Sequence, residues 1–296
     1  MRKTRRSSIS ASNGTITAAI PGSDGISAGP KMSTQRTAMP AAQDTTEQSV
    51  DLKVQTQKGV DLNFTSVDLT MSLDDFSERV IEPAMSVLAA TIEADAMTMY
   101  KDVYNQVNNQ AQPASFAKIL QGRKILVDNL APPTSRTVNL NTQDNVDLVD
   151  ALKGLFNDRG TIAKQNREGF MGRTAGFDFM ENTLWPSHAR SAANGAYLIN
   201  GASQSGATLT VDTGANAPAQ GDVFTIAGVF RVHPETKQST GILQQFVVGA
   251  SATATSWPIS PAIVTSGALQ NVSNAPADNA AITIAGTAST NHGLSM

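Results

Sequence analysis

The chain has 296 residues, of which 40% are hydrophobic but only 16% charged, with a formal net charge of −3 and a pI near 5.6. That length can enclose a large core, and the charge balance lacks the basic excess of a dedicated nucleic-acid binder. The absence of cysteine excludes disulfides, thiolate metal sites and cysteine nucleophiles, and no apolar run of about 18 residues is present to span a membrane.

Residues 1–42 begin with the basic "MRKTRRSSISASNG", which has no apolar stretch behind its charges and so reads as a solvated tail, not a secretory signal. The following "AAIPGSDGISAGPK" carries turn signals without a face to bury, which predicts an atypical or disordered N-terminal arm. Residues 43–70 alternate. Val50, Leu52 and Val54 share one side of an extended strand, Lys58–Gly59 suits a turn, and Val60, Leu62 and Phe64 suit a returning strand. A long β-hairpin is expected there.

Residues 71–112 open with "SLDDFSERVIEPAMSV", where Pro83 falls inside an otherwise helical pattern. An interior proline costs a helix about 3 kcal/mol. The spacing therefore predicts a short helix over 73–81, capped by Ser72, and a second one restarting at Pro83. Beyond it Met85, Leu88, Ile92, Ala96, Met99 and Val103 recur in steps of three and four, predicting one apolar stripe. Extended to about Asn105, this helix is about 34 Å long at 1.5 Å per residue, a strut more than a core element.

Residues 113–189 predict a second amphipathic helix, "FAKILQGRKILVDNL", stopped by Pro132–Pro133, then a short strand, "RTVNLNT". A third helix follows with Val146, Val149, Leu152 and Phe156 at helical spacing. From residue 189 onward only seven of 108 residues are charged. The β-type runs "AYLIN", "ATLTVD", "DVFTIAGVFRV", "ILQQFVV", "PAIVT" and "AITIAG" alternate there with turns. This pattern predicts a small barrel or sandwich over 190–285, with a boundary near 190 and a tail over 286–296.

The chain offers little chemistry. His188, His233 and His292 are scattered, and none has metal-ligand spacing to another histidine or a carboxylate pair. "GASQSG" at 201–206 has its serines and glycines in the wrong order for a nucleophile elbow. "GISAGPKMS" at 25–33 lacks the Gly–Lys–Ser/Thr triplet of a phosphate loop. Asp74 and Asp75 are explained by the dipole of a first helical turn. Trp185 and Trp257 read as core or interface aromatics, and Met85, Met97 and Met99 as packing residues. No catalytic residue, cofactor site or metal site is expected, and a non-enzymatic building block is.

The stretch from "AQDTTEQSVDLKVQTQKGVDLNF" through "SLDDFSERVIEPAMSVLAATIEADAMTMYKDVYNQV" resembles the amino-terminal half of the major capsid proteins of tailed bacteriophages. The similar branch is the coat protein of the short-tailed Salmonella phage type, with the Hong Kong 97-type fold. "GLFNDRGTIAKQNREGFMGRTAGFDFMENT" continues the likeness, and "QGDVFTIAGV" at 220–229 is similar to that branch's inserted β-domain. The resemblance spans about residues 42–285. It implies an α+β fold, with an extended-loop hairpin over 43–70 and a peripheral domain with spine helix over 71–112. An axial-domain portion over 113–189 and an inserted β-barrel over 190–285 complete it.

The resemblance also implies a structural subunit that self-assembles into an icosahedral head, built in the bacterial host cytoplasm and carried in the virion. Its implied partners are other coat subunits, a scaffolding protein, a portal protein and enclosed DNA bound without sequence specificity. Residues 1–41 and "STNHGLSM" depart from the family pattern, as expected of a truncated chain that does not close regular shells, or of a prophage remnant. A β-rich adhesion or glycan-binding module is the alternative for residues 190–285 alone; it leaves the spine helix without a role.

Overall fold

The computed structural model describes residues 9–12, 15–18, 50–53, 57–61, 76–110, 112–152, 172–193, 196–289 and 291–292, the first three stretches and the last as backbone only. The chain divides into two units, Met1–Ile92 and Glu93–Met296.

In the first unit, β1 (Ile9–Ser12), β2 (Thr15–Ala18) and β3 (Val50–Lys53) form a three-stranded antiparallel sheet in that order. Ser12 pairs with Thr15 across a two-residue connection, and Ala18 pairs with Val50. This corrects two expectations. The N-terminal arm contains a hairpin of β1 and β2. The partner of Val50–Lys53 is Thr15–Ala18, and residues 57–61, where a returning strand was expected to begin at Val60, form no strand. Leu62 and Phe64 lie outside the described residues, as do Ser72, Asp74, Asp75 and the 25–33 loop.

The helical stretch does not break at Pro83. Ser77–Ile81 forms a π-helical turn, in which Glu82 N–H donates to Ser77 O five residues back, and α1 (Glu82–Met97) follows directly. Proline lacks an N–H and its ring crowds the carbonyl four residues earlier. A wider turn just before it relieves that crowding without leaving the helix. The last turn, Thr98–Asp102, tightens to a 3₁₀ helix, and Val103 is extended.

The predicted apolar stripe is not a core face. No residue of α1 is buried; Met85 is 57% and Ile92 52% exposed, and beyond the helix Met99 is 68% exposed. Leu88 is half-buried.

In the second unit, α2 (Phe116–Asp128) and α3 (Thr142–Leu152) pack with a three-stranded sheet of order β4–β6–β5. Here β4 (Thr137–Leu140) runs parallel to β6 (Phe177–Glu181), and β5 (Arg173–Thr174) is antiparallel to it. Alternation places Val138, Leu140, Phe177 and Phe179 on one face, where Ile119 of α2 and Leu148 of α3 complete a small core. After α2, Leu130 adopts a positive φ of 58°, and Ala131 N–H returns to Leu126 O, closing the helix just before Pro132. The stripe expected on α3 is rotated: Val146 is 60% exposed, and the buried positions are Asp144 and Leu148.

The remaining strands form an antiparallel barrel. Its order is β13 (Ile282–Ile284), β10 (Val223–Val232), β11 (Ser239–Val248), β12 (Ser256–Ile263), β9 (Gly206–Asp212) and β8 (Leu198–Ile199). A bridge between Leu198 and Ala281 joins the two edges, supported by Ile199 N–H to Ala280 O and Ile282 N–H to Tyr197 O. The sheet is thereby nearly closed. Trp257 fills the interior, with Tyr197 and Phe224 edge-on to it at 4.9 and 5.2 Å. The strand expected at "PAIVT" begins five residues earlier, at Ser256. Its ladder to β9 shifts register between Pro258 and Ile263, the kind of interruption that tolerates proline in a strand. Beneath the barrel, β7 (His188–Ala189) pairs with β14 (Asn291–His292).

Candidate functional site

A polar network joins the 3₁₀ turn after α1 to the base of the barrel. Tyr100 Oη is 3.2 Å from His188 Nδ1, with the rings perpendicular, and His188 Nε2 is 3.4 Å from Asp222 Oδ1. With the imidazole proton on Nε2, Tyr100 donates to the ring and the ring donates to Asp222. Asp222 also accepts from the Ser191 hydroxyl, from Ser191 N–H at 3.3 Å and from Ala219 N–H at 3.0 Å. Burial alone pushes the Asp222 carboxyl up; the hydrogen bonds from His188, Ser191 and the two backbone groups outweigh it and hold the pKa below the usual value.

The adjoining Gly221 has φ +96°, and a Cβ there would sit 2.9 Å from His188 Cε1, so the position suits only glycine. The Ser191 hydroxyl bonds the Asp222 carboxylate. The network fixes one element against another.

Other contacts at this junction are of the same kind. Gln106 and Gln245 exchange two hydrogen bonds, backbone N–H to side chain at 3.0 Å and side-chain amide to backbone O at 2.9 Å. Gln220 donates to Asp102 at 3.1 Å, and Arg231 pairs with Asp128 at 3.2 Å. The barrel core and the α/β core remain separate clusters, so these polar contacts carry the junction.

Two features of the α/β part stand apart. An apolar cavity of about 280 Å³ is lined by Val103, Val107, Ile125, Leu126, Phe177 and Trp185. On α3, Asp144 is 7% exposed and its Oδ2 has no hydrogen-bond partner among the described residues. Burial, with the nearby Asp147 carboxylate adding to it, pushes the Asp144 pKa up to about 6.

Among residues singled out in the sequence, Trp257 is the barrel's central side chain and Trp185 is half-buried beside the cavity. His188 and His292 face each other in the β7–β14 register, while His233 lies in the turn after β10 and accepts from Glu235 N–H. Among the described residues no group of three or more histidines and carboxylates could hold a metal, and no helix is long and apolar enough to cross a membrane. Ser203 and Gly201 of "GASQSG" are held by Pro276 O and Asp278 in a loop between β8 and β9. Met85 and Met99 are exposed, contrary to the packing role expected of them. The sequence reading missed the Tyr100–His188–Asp222 network and Asp144. The network's members lie far apart in sequence, with 88 positions between Tyr100 and His188. Asp144 passed for an ordinary first-turn carboxylate.

No protein-family model matches the chain, and no curated protein does. Among solved structures it is similar to the CUS-3 coat protein I-domain, with 33% identity over 30% of this chain and 94% of that one, at a TM-score of 0.25. It is also similar to a chain from Mycobacterium phage Che8, with 20% identity over 50% of this chain and 56% of that one, at a TM-score of 0.40.

Proposed function

We propose that this chain is a structural subunit of a bacteriophage head, a major capsid protein of the Hong Kong 97 type whose inserted barrel is residues 190–285. The observation that carries the reading is α1. It has no buried residue, yet it displays Met85, Val87 and Ile92. A helix of this kind gains little from its own hydrogen bonds in water, and its stability comes from packing of an apolar face. An assembly of many copies supplies that packing. The resemblance of residues 42–285 to phage coat proteins and the nearly closed barrel with its own core support the same reading. Scaffolding and portal proteins and packaged DNA are its partners in this proposal, and assembly takes place in the bacterial cytoplasm.

Sedimentation velocity at micromolar concentration, with negative-stain electron microscopy of the same samples, tests it. Assemblies of many copies are expected. A monomer that persists at tens of micromolar would overturn the reading and favour an isolated binding module.

A further inference from the structure

α3 carries a carboxyl where its packing calls for an apolar side chain. Leu148 is fully buried in the α/β core, and Asp144, one turn earlier on the same face, is buried with Oδ2 unpartnered among the described residues. Val146 faces outward instead. The neighbours of α3 bring apolar groups to this core: Ile119 from α2, Val138 and Leu140 from β4.

Among the described residues, the charged side chain acting on Asp144 is Asp147 on the same helix. Its Oδ2 accepts from Ala114 N–H at 3.4 Å and its Oδ1 from Gln143 at 3.1 Å. The charges of the neighbouring elements are engaged elsewhere. Lys118 of α2 donates to Asn108 O, and Lys124 pairs with Asp128. Arg136, just before β4, donates to Ala131 O and Pro132 O, and Glu181 of β6 accepts from Asn145. Burial and a like charge both oppose ionisation, and among the described residues no cation offsets them.

We propose that Asp144 is a proton-operated lock on α3, which seats the helix firmly when its carboxyl is protonated and loosens it when the carboxyl ionises. The direction follows from linkage. Asp144 titrates near 6 when folded, against 3.8 when the helix is released. Its stabilising contribution is therefore complete below 3.8 and is lost as pH rises through 6. Between pH 5 and pH 7.5, release of α3 becomes about tenfold more favourable. The lock acts within the subunit and does not depend on the capsid reading.

Hydrogen exchange of the full chain at pH 5.0 and 7.5, corrected for the intrinsic pH dependence of exchange, tests it. Peptides over 142–152 are expected to lose about tenfold protection at the higher pH, while barrel peptides change little and serve as the internal control. Asp144→Asn should hold the helix equally protected at both pH values, and Asp147→Asn should narrow the difference. Equal protection of the native helix at the two pH values would overturn the proposal, as would a tenfold difference that survives in Asp144→Asn. Both readouts stand even if one variant folds poorly, because the first comparison needs no variant.

Discussion

Asp144 and Asp222 are both buried carboxyls, and their surroundings drive them in opposite directions. Asp222 has four donors around it, from His188, the Ser191 hydroxyl and the backbone N–H groups of Ser191 and Ala219. Asp144 has an oxygen without a partner among the described residues and a like charge nearby. The consequence for Asp222 is opposite in sign to that for Asp144. Its folded pKa lies below the ordinary 3.8, so the stability it contributes is present above 3.8 and disappears as pH falls through the lowered value. Asp222→Asn is expected to cost roughly 1–3 kcal/mol at pH 7, the usual penalty for disrupting hydrogen bonds to a buried group. The difference from the native chain should shrink below pH 4. Thermal unfolding followed between pH 7 and pH 2 checks both, and a gap that stays constant to pH 2 would contradict the assignment. Neither environment was legible in the sequence. Each aspartate looks ordinary there, and of the groups that shift Asp222, His188 and Ser191 lie 34 and 31 positions away.

At the scale of elements, the barrel and α1 pose contrary cases. The barrel's alternation is dense, and the structure returns six strands near the six runs read from the sequence, differing chiefly at β12. Its core of Trp257, Tyr197, Phe224 and Phe246 is contained within the barrel itself. Residues 188–292 expressed alone are therefore expected to fold, giving a β-dominated far-ultraviolet circular dichroism spectrum and a cooperative melt. A disordered spectrum would show that the core depends on the rest of the chain. In α1 the three-and-four spacing is equally regular, yet the apolar stripe is exposed. Helical periodicity reports that a face will be covered, not by what. On α3 the same rule misplaced the face, because Asp144 occupies a core position that no periodicity of apolar residues can reveal.

For the whole molecule, the question is what covers α1. Met85 and Ile92 lie seven residues apart, on one face of the helix. Met85→Glu with Ile92→Glu should abolish large assemblies, because a charge buried in an apolar interface is costly unless paired. The barrel should keep its native spectrum. Assembly unchanged in sedimentation would place the subunit contact elsewhere. Within the second unit, barrel and α/β core meet through hydrogen bonds such as Gln106–Gln245 and Tyr100–His188, leaving two cores with a polar junction. Junctions of that kind generally permit relative movement of the joined parts more readily than a shared apolar core does.

What the amino-acid sequence determined by itself is local: strand alternation, helix spacing, turn chemistry and the charge-poor composition of the barrel. Each of these is written within a few neighbouring residues, so the barrel strands and the helices of the α/β part could be read directly, while the N-terminal hairpin and the unbroken helix through Pro83 could not. The tertiary structure alone decided the partners. Thr15–Ala18 takes the place beside Val50–Lys53, Leu198 and Ala281 close the barrel, and His188 joins Tyr100 to Asp222. It also decided which helix face is buried, and with it the ionisation of Asp144. Such outcomes depend on contacts between residues far apart in the chain, where geometry and desolvation act together and no local pattern records the result.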